Sequence, residues 1–376
     1  MKRMKMACAA AMLSPLAAAP VFAQSSVTLS GRVDMGVVSI NNGDGRVTRV
    51  DSGTYTASRL GIGGTEDLGG GLSAGFYLED RFAADTGTPL SGARFFNAGS
   101  QVFLSDTRLG TLTLGRQYTP LFWGFLLADD TGPLRMHGWS ATNTIQRSAT
   151  RIATTASPIQ AAGALDSVSN GVYQLGISST FEDNMVVYKS PTFANTIVRL
   201  AAGSAEGYAG SNARVLSGGT EYKGERLAAG LVYQEKRALA PAGTGGYQTQ
   251  SDTLLSGMYD VVPQTVKLWG NYHLWKLDDP GARLKGRDWM LGASYWVGSS
   301  QLWVNYAKKT FDDCASCGAA GLSVGYHYRL SKRTELYTAA SHVRNQANSA
   351  NGLNGILPGT PGKNLTAYTV GLATTF

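Results

Sequence analysis

Apolar and polar positions alternate along most of this 376-residue chain. Between Val27 and Val37, Val27, Leu29, Val33, Met35 and Val37 fall on one face, and Thr28, Ser30, Arg32 and Asp34 on the other. A period of two is that of a β-strand with one face for an apolar medium and one for water. After the glycine turn Leu68-Gly69-Gly70-Gly71-Leu72 the pattern returns, with Leu72, Ala74, Phe76 and Leu78 opposite Ser73, Tyr77, Glu79 and Arg81. Counting back from Phe376, Thr374, Leu372, Val370 and Tyr368 line one mainly apolar face of a last strand. Taken alone, that segment fits the final strand of a soluble sandwich equally well.

The unit repeats to the end of the chain: an alternating segment, a terse turn, another segment, then a longer polar loop. Terse turns stand at Asp106–Gly110, Ser190–Phe193, Lys223–Arg226, Val262–Gln264, Gly298–Ser300 and Ser331–Arg333. Long loops are expected near 41–56, 83–93, 117–182, 207–214, 238–251, 277–286, 311–319 and 345–363. The count reaches sixteen strands, and an even number brings both termini to the short-turn side, as in a transmembrane antiparallel up-and-down β-barrel.

The N-terminus supports this reading. Lys2, Arg3 and Lys5 precede a small-residue apolar stretch from Met6 to Ala19, and Val21-Phe22-Ala23 offers a cleavage site. Residues 1–23 therefore read as a cleaved signal peptide and 24–376 as a single barrel domain without a linker. No run of 18 apolar residues remains, so no helix of that part is expected to span a bilayer. An exported chain without such a helix belongs to the periplasm, the medium or a membrane barrel.

Composition agrees, since 47 glycines, 10% aromatics and only 16% charged residues suit a wall whose lipid-facing side chains are diluted by polar ones facing a wet lumen. The net charge of +7 falls to about +4 without the three signal cations. That is too little for nucleic acid. It is enough for a lumen that prefers anions, if the basic residues converge there.

Residues 117–182 break the alternation. A segment of that length without regular structure is functional or disordered. It opens with Gln117-Tyr118-Thr119-Pro120-Leu121-Phe122-Trp123-Gly124-Phe125, too aromatic for disorder, and carries Asp129, Asp130, Arg135, Trp139, Arg147 and Arg151. Such a segment needs a surface to pack on, and a barrel interior provides one.

Several phrases carry a family resemblance: Ser58-Arg59-Leu60-Gly61, then Gly64-Thr65-Glu66-Asp67-Leu68-Gly69-Gly70-Gly71-Leu72, Leu114-Gly115-Arg116-Gln117-Tyr118-Thr119-Pro120, Val187–Pro191, Tyr328–Thr334 and the terminal Phe376. The whole chain after the signal resembles a general porin of the Gram-negative outer membrane, of the trimeric sixteen-stranded family. The resemblance implies an all-β barrel with its long third loop folded into the lumen. It implies passive diffusion of small hydrophilic solutes and ions with weak anion preference, no enzymatic step and no cofactor. The alternatives are a channel selective for one class of anion or sugar, a barrel hydrolase, and an adhesin with a plugged lumen. Implied partners are two further copies in a homotrimer, outer-membrane lipid and lipopolysaccharide, barrel-assembly machinery reading the Phe376 strand, and small solutes. Carried over by position, the constriction comprises Arg32, Arg59, Arg81, Arg116 and Glu79 on the wall, with Asp129, Asp130 and Arg135 on the loop. One rung departs from the family pattern: a basic residue is usual in the fourth strand, where this chain reads Asn97-Ala98-Gly99-Ser100-Gln101.

Other signals have simpler readings. Gly71–Gly75 and Gly321–Gly325 match G-x-S-x-G, yet their serines lie inside alternating strands rather than on a strand-to-helix turn. His137, His273, His327 and His342 lack metal-ligand spacing. Cys314 and Cys317 in an exported chain are expected to form a disulfide at the tip of the seventh loop. Trp269, Trp275, Trp289, Trp296 and Trp303 fall near strand ends, as an interfacial belt would, with sugar-stacking platforms as the alternative.

Overall fold

The alternating segments pair with their sequence neighbours all the way round. A computed structural model describes residues 26–90, 94–128, 150–152, 180–204, 214–239, 246–279, 282–353 and 356–376. Strands β1 (Ser26–Asn41), β2 (Arg46–Ser52), β3 (Arg59–Gly69), β4 (Leu72–Ala83), β5 (Thr88–Pro89), β6 (Gly99–Asp106) and β7 (Gly110–Tyr118) lead into helix α1 (Pro120–Leu127). There follow β8 (Thr150–Ile152), β9 (Phe181–Lys189), β10 (Thr196–Ser204), β11 (Arg214–Lys223), β12 (Leu227–Leu239), β13 (Tyr247–Val262) and β14 (Val266–Asp279). The chain ends with β15 (Ala282–Val297), β16 (Ser300–Phe311), β17 (Ala319–Arg329), β18 (Thr334–Asn345), β19 (Ser349–Asn351) and β20 (Leu365–Thr375).

Setting aside the short β2, β5, β8 and β19, sixteen antiparallel strands close into a barrel. Closure joins β20 to β1 from Arg32↔Thr375 to Asn41↔Thr366. The last residue completes the seam: Phe376 N–H donates to the Gly31 carbonyl at 3.1 Å, and Gly31 N–H donates back at 3.2 Å. Every backbone group of a closed sheet finds a partner in the next strand, which a bilayer core demands.

Side-chain alternation follows the expected faces. Val27, Leu29, Val370 and Leu372 point outward and are exposed, while Arg32, Asp34 and Thr369 point inward and are buried. Beside the short turns, Tyr222, Tyr259, Tyr295 and Tyr328 form an outward tyrosine row, as an interfacial girdle requires.

Two expectations need correction. The interfacial belt does not include Trp269, Trp275 or Trp303, which turn inward and are 4%, 2% and 4% exposed. Each stands directly opposite a glycine, Gly292, Gly286 and Gly325 respectively, and its ring fills the space left by the missing side chain. Of the five, Trp289 packs on the outward-facing Tyr306, ring centroids 5.4 Å apart. The segment 277–286 is also mostly ladder rather than loop, because β14 and β15 stay paired as far as Asp279↔Ala282. The two G-x-S-x-G serines, Ser73 and Ser323, do lie within strands.

Candidate functional site

Strand register builds the inner wall. Arg32 of β1 stands directly opposite Arg59 of β3, and Arg59 directly opposite Arg81 of β4. Three like charges in one cross-strand row repel one another, so the wall needs counter-charges close by. Glu335 of β18 pairs with Arg32, and both side chains are deeply buried. Glu79, fully buried, lies 3.2 Å from Arg81 Nε. Its two oxygens also accept from the hydroxyls of Tyr118 at 2.9 Å and Tyr77 at 2.8 Å. Arg81 donates to the Tyr118 hydroxyl as well, and its guanidinium carbon sits 4.8 Å from the centre of the Phe181 ring. Arg59 Nη1 is a buried donor without a hydrogen-bond partner among the described residues.

Arg116 joins this arc from β7, where Gly115 takes φ +119° and the register shifts between Gly115 and Gln117. A bulge of this kind re-aims the side chains that follow it. Arg116 donates to the Asn97 carbonyl at 2.6 Å and to Asp183 at 2.8 Å. The rung without a base at Asn97–Gln101 is filled in another way. Asn97 ties Asp80 to the Arg81 backbone, while Arg94, from the loop before it, places Nη1 against both carboxylate oxygens of Asp183 at 2.6 and 2.8 Å.

Above Arg32 the chain folds inward at residues 53–58. Tyr55 packs edge-on against His327 with centroids 4.3 Å apart, and Arg32 lies 5.3 Å from its ring centre. Asp34 holds this turn, accepting from Thr56 N–H at 2.7 Å and from the Tyr337 hydroxyl at 2.5 Å.

The third long loop enters the lumen. Thr119 caps α1 by accepting from Phe122 N–H at 3.2 Å, and Pro120 occupies the first turn, where no hydrogen-bond donor is needed. Phe122 stacks on Tyr118 at 4.7 Å, and the helix buries Leu121, Phe125 and Leu126 against Val232 of β12 and Leu254 of β13. Ala128 reaches Trp269 and Trp303. Asp129, Asp130, Arg135 and Arg147 lie outside the described residues, as does the side chain of Arg151.

Across the lumen, β13 to β16 carry a second charged group. His273 Nε2 faces Asp252 at 3.0 Å, and its Nδ1 faces Asp288 at 3.1 Å. Asp288 stands directly opposite both His273 and Lys309, and Phe125 of α1 covers the imidazole edge-on at 5.5 Å. Glu335, Asp183 and Arg94 escaped the sequence reading because their partners come from distant parts of the chain, whereas the His273 group sits on consecutive strands and is revealed only by the register that sets its members level. Cys314 and Cys317 stand together in the loop between β16 and β17, Cα atoms 5.7 Å apart.

A family model described as a Gram-negative porin matches residues 7–348. The chain is 32% identical to outer membrane porin protein 32 of Delftia acidovorans, over 96% of this chain and 97% of that one. It is 26% identical to an outer membrane porin protein of Bordetella pertussis, over 90% and 94% respectively. Among solved structures, an anion-selective porin from Comamonas acidovorans superposes with a TM-score of 0.76 at 27% identity, covering 94% of this chain and all of that one. The trimer form of OmpT of Vibrio cholerae, at 14% identity and a TM-score of 0.63, shares the fold.

Proposed function

The chain belongs to the Gram-negative porin family, and from that premise we propose a homotrimeric, weakly anion-selective channel whose constriction is set by the Arg32, Arg59 and Arg81 row. It is a passive diffusion channel of the outer membrane. Solutes cross down their own gradients, and no catalytic step is assigned to any side chain. Residues 1–23 are read as the leader removed on export. Small hydrophilic solutes pass the lumen, the barrel-assembly machinery reads the Phe376 strand, and lipid with lipopolysaccharide surrounds the wall.

The observation that carries the selectivity reading is the unbroken arginine row on one inner wall. An anion passing it exchanges hydration water for guanidinium N–H groups, and two unit charges at 4 Å interact by about 4 kcal/mol at an effective dielectric of 20. Glu335 and Glu79 offset much of that field, which is why the preference is weak rather than strong. Arg59, which makes no ion pair among the described residues, and Arg81 are assigned the largest share. Arg116 extends the positive side and Glu79 holds it in place, while Asp129, Asp130 and Arg135, which lie outside the described residues, are assigned to the constriction on the family resemblance alone. The anion selectivity named for the Comamonas neighbour supports the same sign.

Purified protein in a planar bilayer with a salt gradient provides the test. A zero-current potential of anionic sign at low salt is expected, fading at 1 M where the Debye length is about 3 Å. A potential of cationic sign would reject the assignment, and silent bilayers would reject an open lumen.

A further inference from the structure

The outer wall at β9–β12, on the arc opposite the β1–β20 seam, is not smooth. A groove of about 510 Å³ is set into it across four strands, between Val186, Tyr188, Leu200, Leu216 and Tyr233. Its floor exists because two small residues fall among large ones: Ala202 lies between Val186 and Leu216 in one cross-strand row, and Gly218 lies between Leu200 and Tyr233 in the next. The lining is almost wholly apolar and faces the bilayer.

Directly above the groove, on the same outward face, Arg214 of β11 stands opposite Arg237 of β12. Like charges in a directly opposed pair destabilise a sheet. Among the described residues one carboxylate reaches the pair, and only at one member: Glu235 approaches Arg214 Nη2 at 3.3 Å, while Arg237 lies 4.0 Å over the Tyr247 ring. Arg214 is half-exposed, with side-chain exposure of 48%.

Height decides what meets this pair. Arg214 precedes Lys223, at the short-turn end of β11, by nine residues. At about 3.3 Å per residue and a tilt of about 40°, that is roughly 23 Å of vertical rise, close to the full height of the apolar band of a barrel wall. The arginine pair therefore stands at the headgroup level of the outer leaflet, and the groove begins one outward row below it, on the hydrocarbon side.

We propose that this wall binds one phosphate-bearing lipid of the outer leaflet, its phosphate held between Arg214 and Arg237 and one acyl chain lying in the groove floored by Ala202 and Gly218. The phosphate supplies the missing counter-charge, and bidentate guanidinium geometry suits its oxygens. The chain covers apolar surface that neighbouring bulk lipid packs less closely because of the dip.

The test uses full-length protein in detergent, titrated by native mass spectrometry with bis-phosphorylated lipid A, the same lipid without phosphates, and inorganic phosphate. Wild type should retain the phosphorylated lipid far better than the dephosphorylated one. R214Q/R237Q should weaken retention by about thirtyfold, each headgroup-level cation contributing a factor of about five. Gly218→Leu should weaken it while leaving both cations in place, and R214K/R237K should keep most of it, which controls for folding. Channel conductance should stay unchanged throughout. Equal retention of the two lipids, or no loss in R214Q/R237Q, would overturn the proposal. Inorganic phosphate competing at the same concentration as the lipid would overturn the acyl part and leave a simple anion site. A changed number of protomers in the variants would make this wall a contact between copies instead.

Discussion

Trp303 lies directly opposite Gly325 on the inner wall, and its indole takes the space in which a side chain on Gly325 would begin. Trp269 with Gly292, Trp275 with Gly286, and Tyr337 with Gly371 repeat the arrangement. Glycine within a strand leaves backbone uncovered and packs nothing, and a large ring laid across it restores both. Along β14 to β20 these pairs line the inner surface, and Ala128 at the end of α1 packs on two of the rings, Trp269 and Trp303.

Gly325→Val should therefore destabilise the barrel by about 1–3 kcal/mol, as overpacking does elsewhere. The lost stability should be read as a lower urea midpoint for conversion of the folded to the unfolded electrophoretic form. An unchanged midpoint would mean that the Trp303 ring is free to move aside.

The anchoring of α1 leads to a second expectation. A Cβ on Gly124 would stand 2.9 Å from Val232 Cγ2 and 3.0 Å from Leu254 Cδ2, so the helix lies as close to the wall as a glycine permits. Gly124→Val should push the helix toward the lumen axis and lower single-channel conductance while the barrel stays folded. Conductance equal to wild type would show that α1 does not border the narrowest section.

Glu79 is the counter-charge most exposed to test by substitution. It is fully buried and serves Arg81, Tyr77 and Tyr118 together. Glu79→Gln should lower stability by about 3–5 kcal/mol, since removing one partner leaves the other charge buried. It should also move the zero-current potential further toward anions. A shift toward cations would place Glu79 outside the field that ions experience.

The strand plan was legible because alternation and turn chemistry are local: a period of two and the glycines at 69–71 need no knowledge of the rest of the chain. The arginine row was legible for the same reason, as Arg32, Arg59 and Arg81 sit on the polar faces of β1, β3 and β4. What restrains them was not, because Glu335 comes from a strand some 300 positions away and Asp183 from beyond the long third loop. The inward tryptophans were misread on a physical ambiguity. Proximity to a strand end says nothing about which face a residue takes, and only the register that sets Trp269, Trp275 and Trp303 against glycines reveals it.

Cys314 and Cys317 should be oxidised to each other in mature protein, and changing both to Ser should leave conductance nearly unaltered. Cys317 packs at the edge of a cluster with Trp275, Leu277, Leu284 and Phe311, near the long-loop end of β14 to β16 and far in sequence from the arginine row. Intact mass with and without reductant reports the bond through two hydrogens. Free thiols in the unreduced protein would contradict it.

Selectivity provides the sharpest test of the arginine row. Arg32 is almost fully buried and bound to Glu335, so its charge reaches ions mostly cancelled. Arg81 shares Glu79 with two tyrosines, and among the described residues Arg59 makes no ion pair of its own. Replacing Arg59 and Arg81 with Ser should therefore move the zero-current potential toward cations, with Arg59→Ser alone giving a large part of the change and Arg32→Ser chiefly lowering stability. The difference between variants should be greatest at low ionic strength and shrink as salt rises, since screening at 0.1 M acts over about 10 Å. Asp129→Asn with Asp130→Asn should move the potential the opposite way. If the paired arginine changes leave it where it stands in wild type, Arg59 and Arg81 do not border the path of the ions, and the constriction must be assigned to another part of the wall.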